Sequence, residues 1–211
     1  MDGIEFFLLL LAAAIPAYVL GSINGAIITS KVLYRKDIRK YGSGNPGLTN
    51  FYRVFGKGGA LLVVAIDVLK TMAPVLLGGW LFGHFFEMVL FGRVATGLLV
   101  VLGHCFPLFY RFQGGKGVMA VGTILIIVDW RVAIISWGVF IIITAATRYV
   151  SLGAVLGVLA YPVSQYLLGL GGHKEMIPSV ICAALLIARH HANIRRLIRK
   201  EESKFSFRRR Q

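Results

Sequence analysis

Three short polar stretches interrupt an otherwise apolar sequence, and their residue types are those that hold phosphate. The first runs Gly42-Ser43-Gly44-Asn45-Pro46-Gly47-Leu48-Thr49-Asn50 and is followed by Arg53. Its glycines let backbone N–H groups turn toward an anion, and Ser43, Asn45, Thr49 and Asn50 add side-chain donors around that concavity. The same residues also compose an ordinary turn-rich loop, and composition leaves both readings open. The second stretch is Gly114-Gly115-Lys116-Gly117, after Arg111 and Gln113. Backbone amides at a helix start and the charge of Lys116 suit a phosphate; a flexible hinge with one basic residue is the plainer reading. It is not a nucleotide P-loop, which needs Gly where Tyr110 stands and Ser or Thr where Gly117 stands. The third is Arg189-His190-His191-Ala192-Asn193-Ile194-Arg195-Arg196. On a helix His190 and Asn193 share a face, so an imidazole can meet a hydroxyl or phosphate with Asn193 fixing its orientation. A charged run that stops a membrane span has the same composition.

Other polar residues lie inside apolar runs. Asp67 and Lys70 stand at i and i+3, where they can meet as an ion pair whose burial cost must be offset by function or by bundle stability. His104 and Arg148, near helix ends, are expected to snorkel toward the interface. Cys105 and Cys182 have no spacing that suggests zinc or a disulfide framework and are expected to be buried packing residues. No histidine is followed five residues later by Asp, and there is no G-x-S-x-G, H-E-x-x-H or Rossmann pattern. Neither a metal nor a cofactor is expected.

The elements that must position these residues are membrane helices. Of the 211 residues, 57% are hydrophobic, and the mean hydropathy is +0.75. A soluble domain uses roughly 45–50% apolar residues and has nowhere to hide the excess. Apolar runs predict an all-α integral membrane protein with about seven transmembrane helices, at residues 4–28, 59–82, 94–109, 118–128, 132–146, 152–170 and 177–188. The fourth and seventh are short for a perpendicular crossing. Asp2 and Glu5 replace the basic leader of a signal peptide and no cleavage site follows, so the first helix is expected to stay. With the N-terminus outside, the inner loops carry seven Lys and Arg between Lys31 and Lys57, then Arg111, Lys116, Arg148 and nine from Arg189 onward. Only Lys70, Arg93, Arg131 and Lys174 lie elsewhere. That asymmetry predicts a cytoplasmic C-terminus and puts all three polar stretches on the inner side. The net charge of +14 is thus juxtamembrane rather than a nucleic-acid footprint. The tail from about 195 to 211 is expected to lie on anionic headgroups. No repeat or second domain is apparent, so residues 1–211 are read as one polytopic membrane domain.

Taken together the stretches resemble the bacterial acyl-phosphate:glycerol-3-phosphate acyltransferase family, PlsY. The match runs through Gly21-Ser22-Ile23, Gly42 to Asn50 with Arg53, Gly103-His104 with Phe106-Pro107, Gly114 to Val118, Arg148 to Leu152, and Arg189-His190 with Asn193-Ile194. Asn24-Gly25 departs from the usual pair after Gly-Ser-Ile, Pro46 and Leu48 sit inside the first signature, and Ala192 stands where Glu is usual. The resemblance implies acyl transfer from acyl phosphate to the 1-hydroxyl of glycerol 3-phosphate, giving lysophosphatidic acid and phosphate, an early step of phospholipid synthesis. It implies that Ser43, Asn45, Thr49, Asn50 and Arg53 hold phosphate and glycerol hydroxyls, and that Gly114, Gly115, Lys116 and Gly117 cradle a phosphate. It also implies that His190 and Asn193 line the reacting centre and that Ser43, Lys116, His190 and Asn193 carry the catalysis. Partners would be the two substrates and membrane lipids. A small organophosphate transporter or channel is the alternative, although the inverted repeats usual in transporters are not visible.

The topology has a direct check. Single cysteines at Lys57 and Lys200 should react with an impermeant thiol reagent only after the cytoplasmic face is opened, whereas one at Lys174 should label in intact cells; outside labelling at Lys200 would overturn the topology.

Overall fold

The computed structural model describes residues 3–205, and among them are ten α-helices, two 3-10 turns and no strand. Packing divides the chain after Ile124 into two compact units. The first holds α1 (Gly3–Gly21), α2 (Gly25–Tyr34), a 3-10 turn at Ile38–Lys40, α3 (Leu48–Phe55), α4 (Ala60–Phe86), α5 (Val89–Cys105) and a 3-10 turn at Leu108–Tyr110. It ends within α6 (Val118–Val128); the second unit continues with α7 (Trp130–Thr147), α8 (Val150–Leu167), α9 (His173–Arg189) and α10 (His191–Ile198).

All seven apolar runs fall on helices. Five segments are long and apolar enough to cross a membrane: residues 3–34, which join α1 and α2, then α4, α5 with its following turn, α7 and α8. A sixth is α9 with α10, bent by 57° at His190. The eleven residues of α6 rise only about 16 Å, roughly half the hydrocarbon core. Large apolar side chains point outward along the spans, among them Phe7, Ile15, Leu69, Trp80, Ile134 and Ile142, as a lipid-facing surface requires.

Between lipid-facing helices there is little hydrophobic drive, so close backbone approach through small residues supplies the packing. In the first unit, a Cβ on Gly21 would strike the Val100 carbonyl and one on Gly103 would strike that of Tyr18, which locks α1 against α5. In the second unit, Gly153 faces Thr144 and Phe140, and Gly157 faces Phe140, which brings α8 onto α7. Ser179 on α9 donates to Gln165 Oε1 on α8 at 2.7 Å, which pairs two buried polar side chains across those helices.

The first membrane segment is broken at residues 22–24, and the break is built. Asn24 caps α2 by accepting from the Ile27 N–H at 2.9 Å. Asp67 on α4 accepts from the Gly25 N–H at 3.2 Å and pairs with Lys70 at 2.8 Å, both side chains being 2% exposed. Lys70 also donates to the Ile23 carbonyl. Irregular backbone at membrane depth persists only where its polar groups are satisfied, and this ion pair satisfies them. The i, i+3 pairing expected from sequence is therefore formed.

Candidate functional site

The first polar stretch is held from below by α3. Phe51 and Phe55 on one face of that helix bury against Tyr34, Ile27, Ile38 and Val63, which turns Thr49 and Arg53 to the other face. The loop folds over with Gly42 at φ 60° and Gly44 at φ 72°, left-handed values that suit glycine. Asn50 is buried in its centre. Its Oδ1 accepts from the Ser43 N–H at 2.9 Å and its Nδ2 donates to the Tyr41 carbonyl at 3.0 Å. The residue expected to grip substrate therefore spends these hydrogen bonds on shaping the loop. Ser43 and Arg53 are exposed, and Asn45 and Thr49 are half-buried. Further back, Arg39 hydrogen bonds hold the Asp37 carboxyl down to about 2, and the Arg39 guanidinium lies 5.8 Å from the centre of the Tyr110 ring.

The second stretch meets the first inside the same unit. Asn24 Nδ2 donates to the Pro46 carbonyl at 3.1 Å, and a Cβ on Gly115 would come 3.1 Å from that same carbonyl. The added carbon would also strike His104 Nε2, and one on Gly114 would strike the His104 carbonyl. These glycines are thus required by the close approach of the loop to His104 and Pro46. The expectation that the Gly115 amide turns toward an anion is revised, because that N–H donates to the His104 carbonyl at 3.1 Å. Gly117 takes φ 87° at the entry to α6, and Lys116 is half-buried beside it.

His104 is the residue that sequence reasoning misplaced. It is 4% exposed rather than snorkelling, because Gly103 presses its end of α5 against α1. Lys70 Nζ lies 2.9 Å from His104 Nδ1. An ammonium only donates, so Nδ1 accepts and the imidazole proton sits on Nε2, which faces the glycine loop. Asp67, the Ile23 carbonyl and His104 take the three protons of Lys70.

The third stretch lies in the second unit. His190 stands at the bend between α9 and α10, 2% exposed, with Nδ1 2.8 Å from the Leu186 carbonyl. A carbonyl only accepts, so Nδ1 carries the proton and Nε2 is the basic nitrogen. Asn193 is buried on α10 and its Nδ2 donates to Glu202 at 2.6 Å, a partner not foreseen from sequence. Burial pushes the Glu202 carboxyl up, but hydrogen bonds from Asn193, Ser151 and Arg196 outweigh it and hold the group below its ordinary value. The basic tail turns back at residues 199–205, where the Phe205 N–H donates to the Arg148 carbonyl at 2.7 Å. Arg148 itself is exposed, as an interfacial residue is; residues 206–211 of the predicted tail lie outside the described residues.

The arrangement is a set of anion-suited loops stitched to a buried cation at the end of apolar helices. A family model described as glycerol-3-phosphate acyltransferase matches residues 11–200. A glycerol-3-phosphate acyltransferase of Thermoanaerobacter pseudethanolicus is 38% identical over 90% of this chain and 93% of its own length. One of Thioalkalivibrio sulfidiphilus is 40% identical over 93% and 94%. The crystal structure of PlsY, an integral membrane glycerol 3-phosphate acyltransferase, in its glycerol 3-phosphate form superposes with a TM-score of 0.84 at 34% identity, covering 93% of this chain and 96% of that one. Its lysophosphatidic acid form gives 0.82 at 32% identity, covering 94% and 96%. The chain therefore belongs to the glycerol-3-phosphate acyltransferase family.

Proposed function

We propose that this chain transfers a fatty acyl group from acyl phosphate to the 1-hydroxyl of glycerol 3-phosphate, releasing lysophosphatidic acid and inorganic phosphate. The observation that carries the reading is the meeting of the two glycine loops at Gly115, over a histidine oriented by a buried lysine. Glycerol 3-phosphate and lysophosphatidic acid, bound in the two forms of the related enzyme, are this reaction's acceptor and product. The whole chain, residues 1–211, serves as one catalytic domain in a bacterial cell membrane. Its site opens to the cytoplasm, where Lys and Arg are concentrated in the inner loops. The N-terminus then lies outside and the C-terminus inside.

Each headgroup carries about two negative charges and needs donors at the interface while the acyl tail stays among apolar helices. Lys116 supplies a full charge. At an effective dielectric near 20, a unit pair about 4 Å apart interacts by about 4 kcal/mol before desolvation is subtracted. Ser43, Asn45, Thr49 and Arg53 present donors above the loop that Asn50 shapes, and His104 adds its Nε2–H below the Gly114 to Gly117 loop. Acyl phosphate is already an activated mixed anhydride, so no covalent enzyme intermediate is needed. The hydroxyl oxygen forms the new ester bond to the acyl carbon, the bond from that carbon to the phosphate oxygen breaks, and the hydroxyl proton goes to the departing phosphate or to His190 Nε2. His190 and Asn193 are assigned to the reacting centre on the family's motif. A pH profile unchanged in His190→Ala would assign the proton to the phosphate.

The reading is tested by offering the purified protein acyl phosphate and glycerol 3-phosphate in detergent. Lysophosphatidate and phosphate should appear in equal amounts. Product formed from an acyl thioester but not from acyl phosphate would overturn the donor, and silence with organophosphate flux across proteoliposomes would overturn the enzyme.

The stitching at Gly115 makes a kinetic prediction. Gly115→Ala drives a methyl into His104 and Pro46 together, so the KM for glycerol 3-phosphate should rise several-fold while kcat changes less. A rise in the acyl phosphate KM instead would exchange the substrates at the loop; wild-type kinetics for both would refute the cradle.

A further inference from the structure

We infer that Glu202 is a positioning residue for the acyl transfer, setting Ser151 and Asn193 in the orientation that accepts hydrogen bonds from the substrate's hydroxyl groups. The inference rests on the function proposed above and deepens it. Three donors from two helices converge on this one carboxylate. Ser151 Oγ at the start of α8 donates to Oε1 at 2.7 Å, Asn193 Nδ2 on α10 donates to the same oxygen at 2.6 Å, and Arg196 Nε donates to Oε2 at 2.7 Å. The Glu202 side chain is 6% exposed, and Ser151 and Asn193 are both 7% exposed. Side chains near the end of a basic segment are ordinarily solvated, so this burial needs a cause.

The backbone on either side is tied down. The chain reverses at Lys200, with φ 60°, and the Glu201 N–H donates to the Arg196 carbonyl at 2.8 Å. Beyond Glu202, Lys204 stands 5.7 Å from the centre of the Tyr149 ring, and the Phe205 N–H returns to the Arg148 carbonyl. The tail thus presents one carboxylate to α8 and α10 and is pinned before and after it. Position 192, next to Asn193, is alanine and offers no carboxylate of its own.

The polarity of the contacts defines what the clamp does. An ionised carboxylate only accepts, so it takes the amide NH2 of Asn193 and turns the amide oxygen the other way. It also takes the single proton of Ser151, which directs the lone pairs of Oγ away from Glu202. Both residues are thereby set as acceptors. Acceptors recognise hydroxyl protons and repel a phosphate dianion, so this cluster suits the glycerol end of the acceptor substrate. Arg196 neutralises the carboxylate and keeps its charge from opposing the substrate.

The test is a double-mutant cycle of wild type, Glu202→Gln, Asn193→Ala and the double variant, each assayed with acyl phosphate and glycerol 3-phosphate. Glu202→Gln keeps the size of the side chain but must turn an NH2 toward a donor. It should raise the KM for glycerol 3-phosphate about tenfold, or about 1.4 kcal/mol, and leave that for acyl phosphate unchanged. In the Asn193→Ala background the same change should add little, and Ser151→Ala, the second variant, should raise the same KM. A fall in kcat alone would reduce Glu202 to a tail anchor, additive losses would remove its action through Asn193, and a lowered glycerol 3-phosphate KM would make it an occluding plug. Each of these overturns the inference. Wild-type protein inert toward both substrates would overturn the functional reading instead. The clamp is then read from thermal unfolding of the same four proteins, where additive shifts in midpoint would refute it.

Discussion

An ammonium group inside an apolar helix bundle must hand each of its protons to an acceptor, and Lys70 does so with Asp67, the Ile23 carbonyl and His104. These partners lie on three separate parts of the first unit: α4, the break between α1 and α2, and the end of α5. Because the ion is buried, removing any one partner exposes the cost of the others, which breaking a buried pair sets at about 3–5 kcal/mol. The break in the first membrane segment, the position of His104 and the seat of the second glycine loop all hang on that one arrangement. A bundle of this composition has no need of a buried charge for stability, since apolar residues of similar volume would serve. Its place beside the loops argues that it is kept to orient them.

Glycine then transmits the arrangement outward. Gly103 lets α5 lie against α1 so closely that His104 is buried, and Gly114 and Gly115 let the second loop rest on His104 and on Pro46. Asn24 holds Pro46 from the other side, so the first loop is fixed to the same break that Lys70 satisfies. Asn50 completes the set by tying Ser43 to Tyr41 across the first loop. The outcome is a backbone surface whose shape is over-determined and which carries the exposed Ser43 and Arg53 and the half-buried Lys116, the groups proposed to meet phosphate. Preorganisation of this kind is what electrostatic catalysis requires, because donors already in place need not reorganise as charge moves.

Much of this was legible before any coordinates. The apolar runs located the helices, five of them long enough to cross a membrane, and the i, i+3 spacing of Asp67 and Lys70 announced their pairing. The polar stretches and the order of the family's motifs identified the loops. What escaped were contacts between residues far apart in sequence. Nothing local to His104 says that a lysine 34 residues earlier will hold its Nδ1. Nothing local to Ser151 points to a glutamate 51 residues later in a tail whose composition spoke of lipid headgroups. The loop-shaping contacts of Asn50 escaped for a related reason: a polar residue in a glycine-rich loop reads equally well as a ligand for substrate or for the loop's own backbone.

The central claim is that the buried Asp67, Lys70 and His104 network orders the substrate loops. Its most direct test is equilibrium binding of glycerol 3-phosphate to purified wild type and to the double variant Asp67→Leu with Lys70→Met, which removes the ion pair without stranding a charge. With folding verified by an unfolding midpoint near that of wild type, the account predicts a dissociation constant raised about tenfold or more, or at least about 1.4 kcal/mol. Wild-type affinity in the folded double variant would contradict it.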